Sequence, residues 1–247
     1  MALPIIHTPT YSEILPDSGK KVEFRPFLAG EYKSLLQINT FEDINGIVET
    51  IRDVLIRCVK TPNFDFDALS FVDVEFLYFK VYMRSSESVI HTSMRCIAPV
   101  TVKDEDETEH TEECNTAFDM PIYIDDVLVT QTNINKIIDL GNNVGIKLKY
   151  PTWAKWFLNS DKDFNDEELI LSCIESIYDA DTVYIPFVDS TKEELLEFIG
   201  RLDKKSMETI FEFLDQMPTV TWRKEITCPS CGTKSTVEYK GLDDFLN

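Results

Sequence analysis

The sequence feature that most constrains the fold is a tight turn near the end of the chain. Residues 228–232 read Cys-Pro-Ser-Cys-Gly and lie between two segments of β-type residues, 219–227 and 233–239. A CPxCG turn between two strands is typical of a zinc knuckle, because the turn aims two thiolates at one point and the glycine permits the tight reversal. A redox-active CxxC of the thioredoxin kind would open a helix, so the β-type residues that follow argue against that function.

A closed structural zinc site needs four ligands, and one knuckle supplies two. Cys96 and Cys114 hold the same places around their β segments as Cys228 and Cys231 hold around theirs. We therefore predict a single structural zinc bound by these four thiolates, with His110 as an alternative ligand. The competing interpretation is a hairpin that has lost its metal and keeps the knuckle-shaped turn.

The charge of the chain limits its binding partners. Its 24 Lys and Arg face 44 Asp and Glu, for a formal net charge of −20. That sign argues against binding to nucleic-acid phosphates or to anionic membranes. The acidic run between Cys96 and Cys114 has neither EF-hand spacing nor a glycine turn, so it is interpreted as a solvated hairpin tip and not as a metal-binding loop.

Targeting signals and membrane spans are not apparent in the sequence. No stretch reaches the roughly 18 apolar residues of a membrane span, and the first 21 residues lack the basic and apolar regions of a signal peptide. We expect an intracellular protein whose six cysteines do not form a disulfide framework.

Two helices are predicted in the first third of the chain. Between 44 and 59 apolar residues recur at spacings of 3, 4 and 7, with Thr40 and Asp43 offering an N-terminal cap. Residues 70–83 are apolar on most sides, which predicts a central helix. Cys58 lies on the apolar stripe of the first helix and is predicted to be a core thiol.

Helical spacing returns after residue 151, where a helix capped by Asn165 is predicted to bury Leu169, Ile170, Cys173, Ile174 and Ile177. Two further helical stripes follow, over 191–202 and 207–217.

The predicted fold class is α+β, with a helical body over about 25–85 and 152–217 and a β-hairpin module that carries the knuckle. The predicted segments are an extended N-terminal arm (1–24), a helical segment (25–85), a β segment with an acidic hairpin loop (86–150), an acidic helical segment (151–217) and a C-terminal β knuckle that packs on 86–150 (218–247).

The sequence contains no motif that predicts catalysis. It has no phosphate loop and no GxGxxG, GxSxG or HExxH pattern, and only three histidines. We expect no catalytic or cofactor-binding residues and a protein that binds other proteins. The enzymatic alternative is a metal-dependent hydrolase, which would need a zinc with an open position beside a general base.

An ordered set of short motifs extends from about residue 22 to the C-terminus. The motifs are Arg25-Pro26-Phe27 followed by Glu31, Lys33, Leu35 and Leu36; Glu75-Phe76-Leu77-Tyr78-Phe79 followed by Arg84-Ser85; Ile146-Lys147-Leu148-Lys149-Tyr150-Pro151; Cys228-Pro229-Ser230-Cys231-Gly232; and Gly241-Leu242 with Asp244-Phe245. Together they resemble the T4-like phage baseplate hub assembly proteins.

This resemblance implies a chaperone or catalyst of assembly for the baseplate hub of a contractile tail. Such a protein binds hub or tape-measure proteins in the host cytoplasm and is absent from the mature virion. The family carries no known enzymatic residues, and the resemblance assigns no oligomeric state. The alternative role is a permanent minor component of the hub.

Two regions are candidates for binding those partners. The segment 161–215 holds 16 acidic and 5 basic residues and is expected to shield basic or apolar surfaces of an unassembled subunit. The N-terminal arm is expected to add a strand to the edge of a partner's sheet.

Overall fold

The computed structural model describes residues 7–38, 44–103, 109–130, 134–160 and 167–246. Its helices are α1 (Ala29–Leu36), α2 (Ile44–Cys58), α3 (Phe71–Ser85), α4 (Trp153–Ser160), α5 (Glu167–Cys173), α6 (Lys192–Ile199), α7 (Lys204–Asp215) and α8 (Gly241–Leu246). Its strands are β1 (Tyr11–Ile14), β2 (Lys21–Phe24), β3 (Val89–Arg95), β4 (Pro99–Lys103), β5 (Glu109–Glu113), β6 (Ala117–Tyr123), β7 (Leu128–Val129), β8 (Ile137–Gly141), β9 (Val144–Leu148), β10 (Ile174–Tyr178), β11 (Val183–Tyr184), β12 (Val220–Thr227) and β13 (Lys234–Lys240). The predicted α+β class is confirmed.

The chain divides into two compact units, each made of two stretches of sequence. Unit 1 comprises Met1–Val81 and Gln131–Pro218, and unit 2 comprises Tyr82–Thr130 and Thr219–Asn247. The predicted β segment 86–150 is therefore shared between them: its last pair of strands, β8 and β9, belongs to unit 1.

Unit 1 is built around an antiparallel sheet of four strands in the order β11-β10-β9-β8. One continuous cluster of buried side chains joins this sheet to α5, α6 and α7, and the ring of Phe213 stacks on that of Tyr150 within it. Gly145 on β9 has no room for a side chain because Tyr178 on β10 lies against its Cα. The predicted helical stretch 152–217 thus supplies two strands of this sheet, β10 and β11, while β8 and β9 come from the segment predicted as β.

The predicted helix over 165–177 is wrong in its second half. Helix α5 ends at Cys173, and Ile174–Tyr178 form β10 between β9 and β11. Most of β10 is buried, including the consecutive residues Ser176 and Ile177. A strand covered on both faces loses the alternation of apolar and polar residues. The apolar residues of β10 therefore continued the helical spacing of α5. The proposed cap Asn165 lies outside the described residues.

The first predicted helices agree with the structure. Helix α2 buries Val48, Val54, Leu55 and Cys58 on one face, while α3 is buried on most of its sides. The predicted cap of α2, Thr40 with Asp43, lies outside the described residues. Cys58 and Cys173 are fully buried thiols, and burial raises the pKa of Cys58 to about 11 and that of Cys173 to about 12.

Within the predicted arm, residues 11–24 form a hairpin that packs into unit 1. Strands β1 and β2 pair with each other, and Leu15, Val22 and Phe24 are fully buried. The carboxylate of Asp73 on α3 accepts hydrogen bonds from the backbone amides of Asp17 and Ser18 at 2.8 and 3.1 Å. The hairpin is thereby fixed to the central helix.

A nearly buried ion pair joins the end of β2 to α1. Arg25 contacts both carboxylate oxygens of Glu31, at 2.9 and 3.3 Å, and donates to the carbonyl of Pro26. Glu31 also accepts from the Leu28 amide at 2.8 Å, at the start of the helix. The hydrogen bond from Arg25 is the main reason that the pKa of Glu31 is lowered. The first motif of the family resemblance is therefore a structural clamp.

Unit 2 is assembled from hairpins. Strands β3 and β6 pair along seven residues, as do β12 and β13, and β7 extends the second sheet. Met120 and Ile122 are buried on strand β6, where more buried and less buried residues alternate. Trp222 is buried in the second sheet, with its indole edge-on to Tyr239.

Candidate metal centre

Two hairpins of unit 2 place the cysteines at equivalent positions. Cys96 comes directly after β3, and Cys228 directly after β12. Two residues separate Cys114 from the start of β6, and two residues separate Cys231 from the start of β13. The ribbon of β4 and β5 is inserted between Cys96 and Cys114, which explains why this pair is widely separated in the sequence.

The two turns share their hydrogen bonds as well as their positions. The amide of Cys228 donates to the Thr233 carbonyl at 2.9 Å, and the amide of Gly232 donates to the Cys228 carbonyl at 3.0 Å. The first turn repeats this pattern: Cys96 donates to the carbonyl of Thr116 at 3.0 Å, and Asn115 donates to that of Cys96 at 2.9 Å.

The residue after the second cysteine of each turn is left-handed. Gly232 has φ of 72° and Asn115 has φ of 54°. Glycine and asparagine are the residues that adopt this conformation at the least cost. The widened turn is thus a second knuckle, in which Asn115 takes the place of the glycine.

The four sulfur atoms converge on one point. All lie within 4.8 Å of one another. The Sγ of Cys96 is 3.7 Å from that of Cys231, and the Sγ of Cys114 is 3.7 Å from that of Cys228. A disulfide would bring two sulfurs to about 2 Å, whereas four thiolates at about 2.3 Å from a tetrahedral zinc lie roughly 3.8 Å apart. The spacing therefore fits metal ligands.

The electrostatics of the cluster favour a bound cation. The hydroxyl and the amide of Thr233 lower the pKa of Cys231 to about 6, and those of Thr116 lower the pKa of Cys114. At Cys96, a hydrogen bond from the backbone of Ala98 lowers the pKa, but burial and the other three thiols outweigh it and raise the pKa to about 12. Thiols this close cannot all ionise unless a positive charge lies among them.

Sequence reasoning missed two side chains of this site. The Oγ1 of Thr116 lies 3.2 Å from the sulfur of Cys114, and that of Thr233 lies 3.3 Å from the sulfur of Cys231. The repeated spacing Cys-x-Thr, once in each knuckle, is the signal that could have found them. Both hydroxyls are placed to orient and stabilise a thiolate ligand.

The predicted alternative ligand is not part of the cluster. His110 lies on β5 with its imidazole exposed, 3.9 Å from a carboxylate oxygen of Glu112. The group with metal-binding spacing found in the described part of the chain consists of Cys96, Cys114, Cys228 and Cys231 alone. Most of the acidic loop between the first two, residues 104–108, lies outside the described residues.

Four sulfur donors in one shell suit a zinc ion, which prefers four tetrahedral N or S ligands in structural sites. Catalytic zinc sites keep one position open for water or substrate. The arrangement accordingly fits a closed structural site, in which a bound metal would join two hairpins.

An α+β fold with a four-cysteine metal-binding geometry defines the general class of this protein. The sequence profile described as T4 bacteriophage base plate protein matches residues 8–247, so the chain belongs to that family. Comparisons with curated proteins and with solved structures gave no match. Among the helices of the described residues, none has the length and apolarity needed to cross a bilayer.

Proposed function

We propose that this baseplate protein is an assembly factor for the hub of a contractile phage tail. It works in the host cytoplasm by binding hub or tape-measure proteins and performs no catalysis. Membership of the baseplate family over nearly the whole chain carries the proposal, because a baseplate forms only through contacts among its proteins. The resemblance to hub assembly proteins supports the finer role.

The charge of the protein supports transient binding. At a net charge of −20, association with a basic partner is fast and is weakened by salt, while association with like-charged copies is disfavoured. An assembly factor needs both properties, since it must meet its partner quickly and leave it later. A permanent subunit of the hub is the competing role.

The location of the protein after assembly separates the two roles. Quantitative mass spectrometry of purified virions, with a known hub subunit as internal standard, measures the copies retained. The proposal expects almost none, together with a failure to form baseplates when the gene is disrupted. A fixed, integral number of copies per particle would identify a permanent component instead.

We also propose that Cys96, Cys114, Cys228 and Cys231 bind one structural zinc. The matching 3.7 Å sulfur separations and the two equivalent knuckles support this assignment. A closed shell of four thiolates supplies cross-linking of the hairpins and no bound water for hydrolysis. It thus also supports the non-enzymatic role.

The zinc assignment needs a measurement that distinguishes metal protection from burial. Cys58 and Cys173 are fully buried, so they too resist thiol reagents in the folded protein. Zinc content should be about one ion per chain in protein purified without chelator. Addition of a chelator should then expose four thiols while two stay protected until denaturation. Four accessible thiols before chelation, with no zinc, would contradict the assignment.

A further inference from the structure

Unit 1 presents a short run of apolar side chains to solvent next to the edge of its sheet. Residues 183–188 read Val-Tyr-Ile-Pro-Phe-Val, and of these only Pro186 is not exposed. Phe187 is 61% exposed and Val188 is 77% exposed. Scattered apolar side chains are ordinary on a surface, whereas a contiguous group is a feature of interaction sites. We call residues 183–188 the apolar loop.

The apolar loop is held in one conformation by hydrogen bonds at both ends. On one side, Asp179 accepts from the amides of Asp181 and Thr182 and from the hydroxyl of Tyr184, each at 2.9 Å. On the other side, the carboxylate of Asp189 accepts from the Ile185 amide at 2.8 Å. A loop fixed in this way loses little conformational entropy when it binds.

The backbone at Phe187 is a second sign of function. Its φ is 64°, a left-handed conformation that is uncommon and unfavourable for an aromatic residue. The amides of Val188 and Asp189 both donate to the carbonyl of Ile185, which fixes the turn around it. The turn holds an apolar ring in water at the cost of an unfavourable backbone, and such features cluster at binding sites.

Acidic residues flank the apolar loop along the sequence. From 179 to 197 the chain carries Asp179, Asp181, Asp189, Glu193, Glu194 and Glu197, against one base, Lys192. The ammonium group of Lys192 lies 2.6 Å from a carboxylate oxygen of Glu168. The electrostatic complement of this surface is an apolar pocket bordered by Lys and Arg.

We propose that the apolar loop is the docking element of this protein and inserts Phe187 and Val188 into a basic-rimmed apolar pocket of another baseplate protein. This docking proposal rests on the proposed function only in assuming that the partner is another baseplate protein. A second copy of this chain is disfavoured as the occupant because its surface carries the same charge. Addition of a partner's strand to the edge strand β11 is disfavoured too. Strand β11 has only two residues, and the amide of Ile185 that follows it already donates to the carboxylate of Asp189.

Pairwise binding measurements test the proposal. Each baseplate protein of the same phage is produced singly and titrated against the wild type and against the double variant Phe187→Asn/Val188→Ser. Asparagine tolerates the left-handed backbone, so the fold is kept. Ile14→Thr is the matched control, since Ile14 is an apolar side chain of unit 1 that is 67% exposed elsewhere.

The expected result is one partner that binds the wild type, at least tenfold weaker binding by the double variant, and unchanged binding by Ile14→Thr. Neutralising two acidic residues near the apolar loop, with Asp181→Asn and Glu193→Gln, should weaken binding at low salt and make binding less dependent on salt. Circular dichroism and zinc content should match the wild type in every variant.

Three results would overturn the proposal: equal binding by wild type and double variant, no binding by any baseplate protein, or self-association of the wild type that the double variant abolishes. Retention in virions tests the proposed function separately. A protein retained in the particle that still docks through the loop would refute the assembly role alone.

Discussion

The two units of this protein are stabilised in different ways. Unit 1 has a continuous apolar core that joins a four-stranded sheet to three helices. Unit 2 has roughly 80 residues, a size at which an apolar core supplies only about 3–5 kcal/mol and natural proteins add a metal or a disulfide. In unit 2 the four cysteines stand at the ends of the hairpins, where a metal would join two sheets.

The two units therefore depend on different stabilising interactions, an apolar core in unit 1 and the cysteine turns in unit 2. The larger unit stays folded with apolar side chains exposed, as in the apolar loop, because its core stabilises the fold without them. A small unit depends on a few local contacts, so its cysteines are placed by tight turns and their hydrogen bonds. Removing the main stabilising contact of each unit in turn tests whether the two units are stabilised in these different ways.

The largest effect is expected from Cys228→Ser, which removes one of the four ligands. Structural zinc contributes about 10–16 kcal/mol in zinc-finger peptides, so zinc should be lost and the amides of β12 and β13 should exchange freely while those of β9 and β10 stay protected. Hydrogen exchange with mass spectrometry measures this. Cys173→Ala, at a buried thiol outside the cluster, should keep its zinc. Unaltered protection of β12 and β13 in Cys228→Ser would show that unit 2 needs no metal.

A matched pair of core truncations comes next. Trp222→Ala in unit 2 and Phe213→Ala in unit 1 each remove a buried aromatic ring, at a cost of about 3–5 kcal/mol. Each should reduce protection from hydrogen exchange in its own unit only. If either substitution lowered protection equally in both units, the two would form one cooperative structure and the contrast would not hold.

The ion pair of unit 1 gives a pH-dependent prediction. Since the pKa of Glu31 is lowered below the ordinary 4.5 in the folded state, its stabilisation is complete above that pH and is lost as the pH falls through the lowered value. Glu31→Gln should cost about 2–3 kcal/mol at neutral pH because Arg25 loses its partner. Urea unfolding across the acid range should show a weaker pH dependence in the variant, and an identical dependence would contradict the assignment.

The smallest effect is expected at the threonines beside the thiolates. Thr233→Val removes the hydroxyl near Cys231 and should weaken zinc binding about tenfold, whereas Thr233→Ser should bind as the wild type does. Competition with a chromophoric chelator gives both affinities. Equal affinity in the valine and serine variants would show that the hydroxyl does not act on the ligand.

The local patterns of the sequence were sufficient for most elements. Apolar spacing predicted α2 and α3, and the β-type residues on either side of the CPxCG turn are present as β12 and β13. The pattern failed at Ile174–Tyr178, where burial on both faces of a central strand removed the period of two. The N-terminal hairpin was missed as a packed element because its anchor, Asp73, lies more than fifty residues away in the sequence.

The cysteine knuckle could be predicted from the residues alone, since a CPxCG turn is a local arrangement whose proline, glycine and flanking β residues act within a few positions of one another. The equivalent placement of the two cysteine pairs around their β segments could also be predicted from the sequence. Only the tertiary structure brought Cys96 and Cys114 to within 4.8 Å of Cys228 and Cys231. It alone left the apolar loop exposed, because convergence and exposure depend on the packing of distant segments, which no local spacing encodes.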